Sequence, residues 1–181
     1  MSGPDLKIRM KWTQEAWAIF KAFYYFKEVF EAALIRAYRD GATYIPNIIR
    51  GNIRKGGNPY KDLSGLTIEL KGHSAPLIES GRLHDSITAT YSRRGVDVFV
   101  GDPEVAVYAD VMEFGATIRV TDAMRRFFLA IGHPLRSDTK VIEIPARPFM
   151  RPSIEPAFVL VWERFIYHYD KELVRRGVVS I

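Results

Sequence analysis

Two spacings organise this chain. Towards both ends apolar residues return every three or four positions, and in the middle they alternate one by one. Ala16, Ile19, Phe23, Phe26, Phe30, Ala33 and Ala37 fall on one helical stripe. Thr13 is placed to cap that helix and Gly41 to end it, so the pattern predicts a helix over 13–40. Trp17, Phe20, Tyr24 and Leu34 widen the stripe beyond one face. A helix this apolar normally buries two sides. The plain expectation is a central core helix; the sharper one is that its second face meets a neighbouring subunit. Near the other end, Phe158, Val161, Trp162, Phe165, Ile166, Tyr169 and Leu173 predict a helix starting at Ser153 or Ile154. Pro156 sits in its first turn, where a missing N–H costs nothing. Lys171, Arg175 and Arg176 suit the negative end of its dipole.

Alternation is clearest in "ITATYSRRGVDVFVGD". Ile87, Ala89 and Tyr91, then Val96, Val98 and Val100, read as a β-hairpin over 87–100 with "RRG" as its turn. "LTIELKG", "TIRV" and "VIEI" are shorter strand candidates. "PLIESGRLHDSI" predicts a short helix capped by Ser80 and containing Arg82, Leu83 and Ser86. In "DPEVAVYADVMEFG" Asp102 caps, Pro103 takes the first helical position and Gly115 ends the helix. "TDAMRRFFLAIG" is a further short helix between Thr121 and Gly132. These elements predict one α+β domain over 1–181 with its α+β core in 66–176. The long N-terminal helix and the C-terminal helix would pack on one small antiparallel sheet made from the hairpin and "VIEI", since one face of that sheet must be covered.

Two segments break the periodic pattern. Residues 43–65, "TYIPNIIRGNIRKGGNPYKDLSG", are rich in Gly, Asn and Pro, with Arg50, Arg54, Lys55 and Lys61 against one acid. They read as an extended basic loop, mobile in the free subunit and ordered on assembly, with its cations facing a partner or DNA. The segment lacks the spacing of a phosphate-binding loop. The second segment, "IPARPFMRPSIEP", holds four prolines in residues 144–156. Pro145 and Pro148 keep the chain extended after "VIEI", and Pro152 and Pro156 fix the start of the helix. The segment behaves as a stiff bracket from sheet to helix. Phe149 and Met150 plug the core, and Arg147 and Arg151 flank them, either solvated or in local ion pairs.

Composition narrows the chemistry. Of 181 residues 48% are hydrophobic and 26% charged, which suits an ordinary globular domain with a real core. No run approaches the ~20 apolar residues of a membrane span. The opening "MSGPDLKIRMKW" lacks the apolar region of an export signal. The absence of cysteine rules out disulfides and thiolate zinc sites, and His73, His84, His133 and His168 have no ligand spacing. A net charge of +5 favours an anionic partner, although many globular proteins carry as much without one. His84, Asp85 and Ser86 stand side by side, but neighbours on one helix do not converge as a triad must. Glu79, Glu104, Glu113 and Glu143 offer carboxylates that nothing in the sequence pairs. No cofactor fingerprint is present, so neither an enzyme nor a cofactor is expected.

"LIESGRLHDSI", "VYADVMEFG" and "IPARPFMRPSIEPA" occur in that order. Together they resemble the phage tail-completion proteins of the siphophage type and the related Mu-like virion-morphogenesis proteins. The resemblance spans roughly residues 75–160, with 116–143 as an insertion found in longer members. It implies a non-enzymatic, tail-terminator-like subunit in the virion neck. That subunit would form a homo-oligomeric ring, a hexamer, which completes the tail and joins it to the head connector. Its partners would be connector or stopper proteins, the tail-tube protein and passing DNA, with no membrane. The motif residues Gly81, Arg82, Leu83, Glu113, Phe114, Gly115, Pro145, Arg147, Pro148 and Phe149 are structural in that reading. The competing expectation is a basic module gripping DNA phosphates through 43–62 and "SRRG". Affinity that falls steeply with salt would mark it.

Overall fold

The computed structural model describes residues 13–57 and 59–178. The first twelve residues, read above for an export signal, and Asn58 of the basic segment lie outside it. The fold is α+β, with a long N-terminal helix, a C-terminal helix and two small antiparallel sheets. In chain order the elements are α1 (Gln14–Arg54), α2 (Gly65–Lys71), α3 (Arg82–Ser86), β1 (Ile87–Ser92), β2 (Gly95–Val100) and α4 (Pro103–Phe114). Then come β3 (Ala116–Arg119), α5 (Asp122–Ala130), β4 (Val141–Ile144), a 3-10 turn at Arg151–Ser153 and α6 (Ile154–Arg175).

The strongest departure from expectation is at α1. The helix does not stop at Gly41 but runs through Pro46 to Arg54, so residues 43–54 are not loop. The reason is a second apolar line. Val29, Ala33, Ala37, Gly41, Ile45, Ile49 and Ile53, every fourth residue, are all buried. On a helix of 3.6 residues per turn such a row drifts by about 40° per step, so it winds around the helix and meets different elements along its length. An interior proline costs about 3 kcal/mol, and burial of this line on both sides of Pro46 offsets it. Gly41 lets two helices approach closely: a Cβ there would stand 2.9 Å from Val161 of α6 and 3.2 Å from Val96 of β2. A deletion of 50–58, expected to leave the subunit folded but unable to join heads to tails if the segment were a loop, would remove the last turn of a core helix.

Smaller corrections follow the same logic. "LTIELK" is helix α2 rather than strand, because Ser64 accepts the amide of Thr67 and Gly72 closes the helix in the left-handed region. Helix α3 begins after Gly81, itself left-handed at φ 81°, with no side-chain cap from Ser80. The hairpin forms as expected, with Ile87 opposite Val100 and Ser92 opposite Gly95. β4 does not join it. β4 pairs instead with β3, Ala116 opposite Ile144, making a separate second sheet. The connection over 120–140, which includes α5, brings β3 and β4 together. Asp102 and Thr121 cap α4 and α5 as expected.

The core gathers Ile45, Ile49 and Ile53 of α1 with Leu77, Leu83, Ile87, Val105, Ala109 and Phe149. α1 and α6 run antiparallel, joined along their length by Asp40 to His168 at 2.8 Å, Arg36 to Glu172 at 2.9 Å and Glu28 to Arg176 at 2.6 Å. Glu172 is the one fully buried residue of α6. Its carboxylate accepts from Arg175, from Arg176 Nε at 3.1 Å and from Arg36. The bonds from Arg175 outweigh the burial penalty, and with Arg176 and Arg36 they hold this carboxyl down to about 2. Its folded pKa lies below its unfolded one. The stability it adds is therefore complete above about pH 5 and is lost as pH falls towards 2. Glu172→Gln is expected to abolish that component, on the order of 2–3 kcal/mol. Thermal melts of both proteins from pH 6 to pH 2 test this; parallel pH profiles would refute it.

Candidate functional site

Two of the three motif segments, "VYADVMEFG" and "IPARPFMRPSIEPA", meet around the carboxylate of Glu113. This side chain, near the end of α4, is almost fully buried. Its Oε2 accepts the backbone N–H of Phe149 at 2.7 Å and of Met150 at 2.9 Å. Its Oε1 accepts the N–H of Arg151 at 2.9 Å and Arg151 Nε at 3.2 Å. One carboxylate thus gathers three successive amides just where the chain turns from bracket to helix. Arg151 closes the arrangement, donating to the Glu113 carbonyl at 3.0 Å while its guanidinium lies 5.0 Å from the Phe114 ring centre. Burial pushes the Glu113 carboxyl up, but the amides of Met150, Arg151 and Phe149 and the Arg151 guanidinium more than compensate. The group ends below its usual range.

Gly115 makes this approach possible. It has φ 77°, ψ 169°, a region essentially reserved for glycine. A Cβ there would stand 2.9 Å from both Ala146 N and Ile144 O. Pro145 and Pro148 carry the extended chain past it, and Arg147 N donates to Met112 O at 2.7 Å. The Arg147 side chain is neither solvated nor ion-paired. It is buried and donates to the carbonyls of Lys61 and Asp62, the latter at 2.7 Å. Gly57, at φ 95°, packs against the Arg147 backbone, where a Cβ would come within 3.0 Å. The bracket therefore holds the short loop after α1 as well as α4. Phe149 is fully buried in the core, and its carbonyl accepts from Ser153 Oγ at 2.9 Å and Asn52 Nδ2 at 3.3 Å.

The Gly81–Leu83 motif lies at the other end of α4. Leu83 is in the core, and exposed Arg82 donates to Asp102 at 2.6 Å and Glu104 at 3.0 Å, tying α3 to the α4 N-terminus.

The basic residues expected on a free loop are dispersed. Arg50 on α1 donates to His84 O at 3.1 Å and Ile87 O at 2.8 Å, so it fastens α3 and β1. Arg54 reaches His84 Nε2 at 3.0 Å, and Lys55 serves as the α1 C-cap residue. Lys61 is exposed while its carbonyl binds Arg147. The neighbours His84 and Asp85 pair with each other at 2.8 Å, but the Ser86 hydroxyl donates to Leu83 O, so no triad forms.

Two surface features lie apart from the motif contacts. A groove of about 870 Å³ is walled by Leu66 and Leu70 of α2, Tyr108 of α4, Phe128 of α5 and Ile142 of β4. Lys71 in its wall donates to Ala75 O and Pro76 O, and burial lowers its amine below the usual range despite Glu79. Burial likewise raises the Tyr108 hydroxyl. The second feature is the N-terminal half of α1. Ile19, Phe23, Phe26 and Phe30, expected in the core, are exposed, Phe23 by 81%. Among the described residues no group of three potential ligands could hold a metal ion, and no helix is long and apolar enough to cross a membrane. Comparison with protein-family models, with curated proteins and with solved structures found no match.

Proposed function

We propose that this chain is a structural subunit of a tailed-phage neck, forming a homo-oligomeric ring that completes the tail and joins it to the head connector. One observation carries the reading. The residues of the ordered motifs are spent on architecture: Glu113 on three bracket amides, Arg147 on two loop carbonyls, Arg82 on the α4 cap. Motifs used in this way maintain a shape, and a ring subunit is a protein whose product is its shape. A ring also needs surfaces for its neighbours, and the exposed aromatic half of α1 offers one. The DNA-gripping alternative is less well supported, since Arg50 is engaged within the fold and Arg54 lies on a helix rather than a loop.

Electron microscopy of the purified protein, alone and mixed with phage tail tubes, tests the proposal. Closed rings that seat on tube ends are expected. A protein that stays monomeric at every concentration and leaves tubes bare would defeat it. Tight binding to duplex DNA that collapses between 50 and 200 mM salt, without rings, would transfer the case to the nucleic-acid module.

A further inference from the structure

We infer that copies of this chain associate through the aromatic face shared by the N-terminal half of α1 and the first half of α6. Phe26 and Phe30 of α1 stand 5.9 Å apart between ring centres, Phe30 meets Phe165 of α6 at 5.0 Å, and Phe165 stacks on Trp162 at 5.6 Å. Helical spacing extends this line to Phe23 and Ile19 along α1 and to Phe158 along α6. Yet these residues are far from buried: Phe158 is 71% exposed and Trp162 54%. Taking ~200 Å² for each large side chain, the exposed parts of Ile19, Phe23, Phe26, Phe30, Phe158 and Trp162 offer roughly 700 Å². That exceeds the largest apolar patch of a typical monomer, about 300–600 Å². It is close to the ~800 Å² that one partner contributes to a stable protein interface.

Charge and geometry select a second copy as the occupant. Across 14–34 of α1 and 154–165 of α6, Glu15, Glu28, Glu31, Glu155 and Glu163 stand against Lys21, Lys27 and Arg164, so the two half-helices carry a small negative charge. An anionic partner, whether nucleic acid or lipid headgroups, would be met by a cationic border, and this border is slightly acidic. A neighbouring copy, by contrast, meets so weakly charged a face with little like-charge penalty. Two packed helices with one open apolar side still lack a facing layer, which a neighbouring copy supplies. The inference rests on the proposed function only for the premise that this chain self-associates.

Light scattering of the full chain and of a Phe23→Glu/Phe158→Glu variant tests it. Both positions are mostly exposed in the subunit, so the fold should survive, which circular dichroism and melting check directly. The variant is expected to fall to single-chain mass with an unchanged spectrum. A Phe23→Leu/Phe158→Leu variant, which keeps the surface apolar, is expected to retain the wild-type mass. If the charged variant stays folded and keeps the wild-type mass, the inference is overturned while self-assembly through another face stands. If the wild type is itself monomeric, both fail. Flotation of that monomer with phosphatidylserine vesicles would assign the face to lipid instead.

Discussion

Replacing Phe149 by alanine is expected to lower stability by about 3–5 kcal/mol, the usual cost of emptying an aromatic core site. In a chain of this size that is a fall in melting temperature on the order of 10 °C. Arg93→Ala, by contrast, should change stability by no more than about 0.5 kcal/mol. The contrast follows from position. Phe149 is fully buried where helix α1, helix α3, the hairpin and α4 meet. Arg93 is exposed at the hairpin turn between β1 and β2. The cavity cannot easily collapse, because the carbonyl of Phe149 is fixed by Ser153 and Asn52 and its N–H by Glu113. Thermal melts of the two variants decide the matter, and equal shifts would show that the bracket carries no core residue. Assembly should fail with folding, since the bracket sets where α6 leaves the body.

The parts of this fold that were legible from sequence are those decided locally. Asp102, Pro103 and Gly115 delimit α4 by cap chemistry alone, and the alternation of Val96, Val98 and Val100 specifies the hairpin. What misled was local signal overruled by distant packing. Gly41, Pro46 and Gly51 are breakers taken singly, yet the fourfold line from Val29 to Ile53 buries enough surface to carry the helix through them. The aromatic stripe from Ile19 to Phe30 is a real helical face, but among the described residues it stays largely exposed; a pattern reports apolarity, not which molecule meets it. The resemblance marks Glu113 as a structural motif residue, but its partners were not legible in the sequence. Its partners are main-chain amides some 36 residues away, and backbone donors leave no trace in residue identity. The only available signal was the pairing of an acidic residue just before a strained glycine with a proline-rich segment later in the chain. The groove had no signal because its walls come from four elements, each unremarkable alone.

Glu113→Ala should cost as much as the loss of Phe149, for an electrostatic reason rather than a packing one. Removing the carboxylate strips the acceptor from the amides of Phe149, Met150 and Arg151 together, and from Arg151 Nε. Each donor left unsatisfied where burial limits water costs about 1–3 kcal/mol. The diagnostic variant is Glu113→Gln. Its shape is nearly identical, so a residue that merely fills space would tolerate it. Here both oxygens accept, Oε2 from Phe149 and Met150 and Oε1 from Arg151. A glutamine keeps one acceptor and turns its NH2 group, a donor, against donors on the other side. It should therefore recover little of the loss, and a cost of about 2–4 kcal/mol is expected from the charged hydrogen bonds forfeited. Acid should mimic it. The Glu113 carboxyl is depressed in the folded state, so its contribution is present above the ordinary glutamate range and disappears as pH falls below it. Denaturant melts of the wild type, Glu113→Ala and Glu113→Gln at neutral pH supply the measurement. A glutamine variant as stable as wild type would mean that the amides find another acceptor, and that the meeting of two motif segments at this carboxylate is not what holds the bracket.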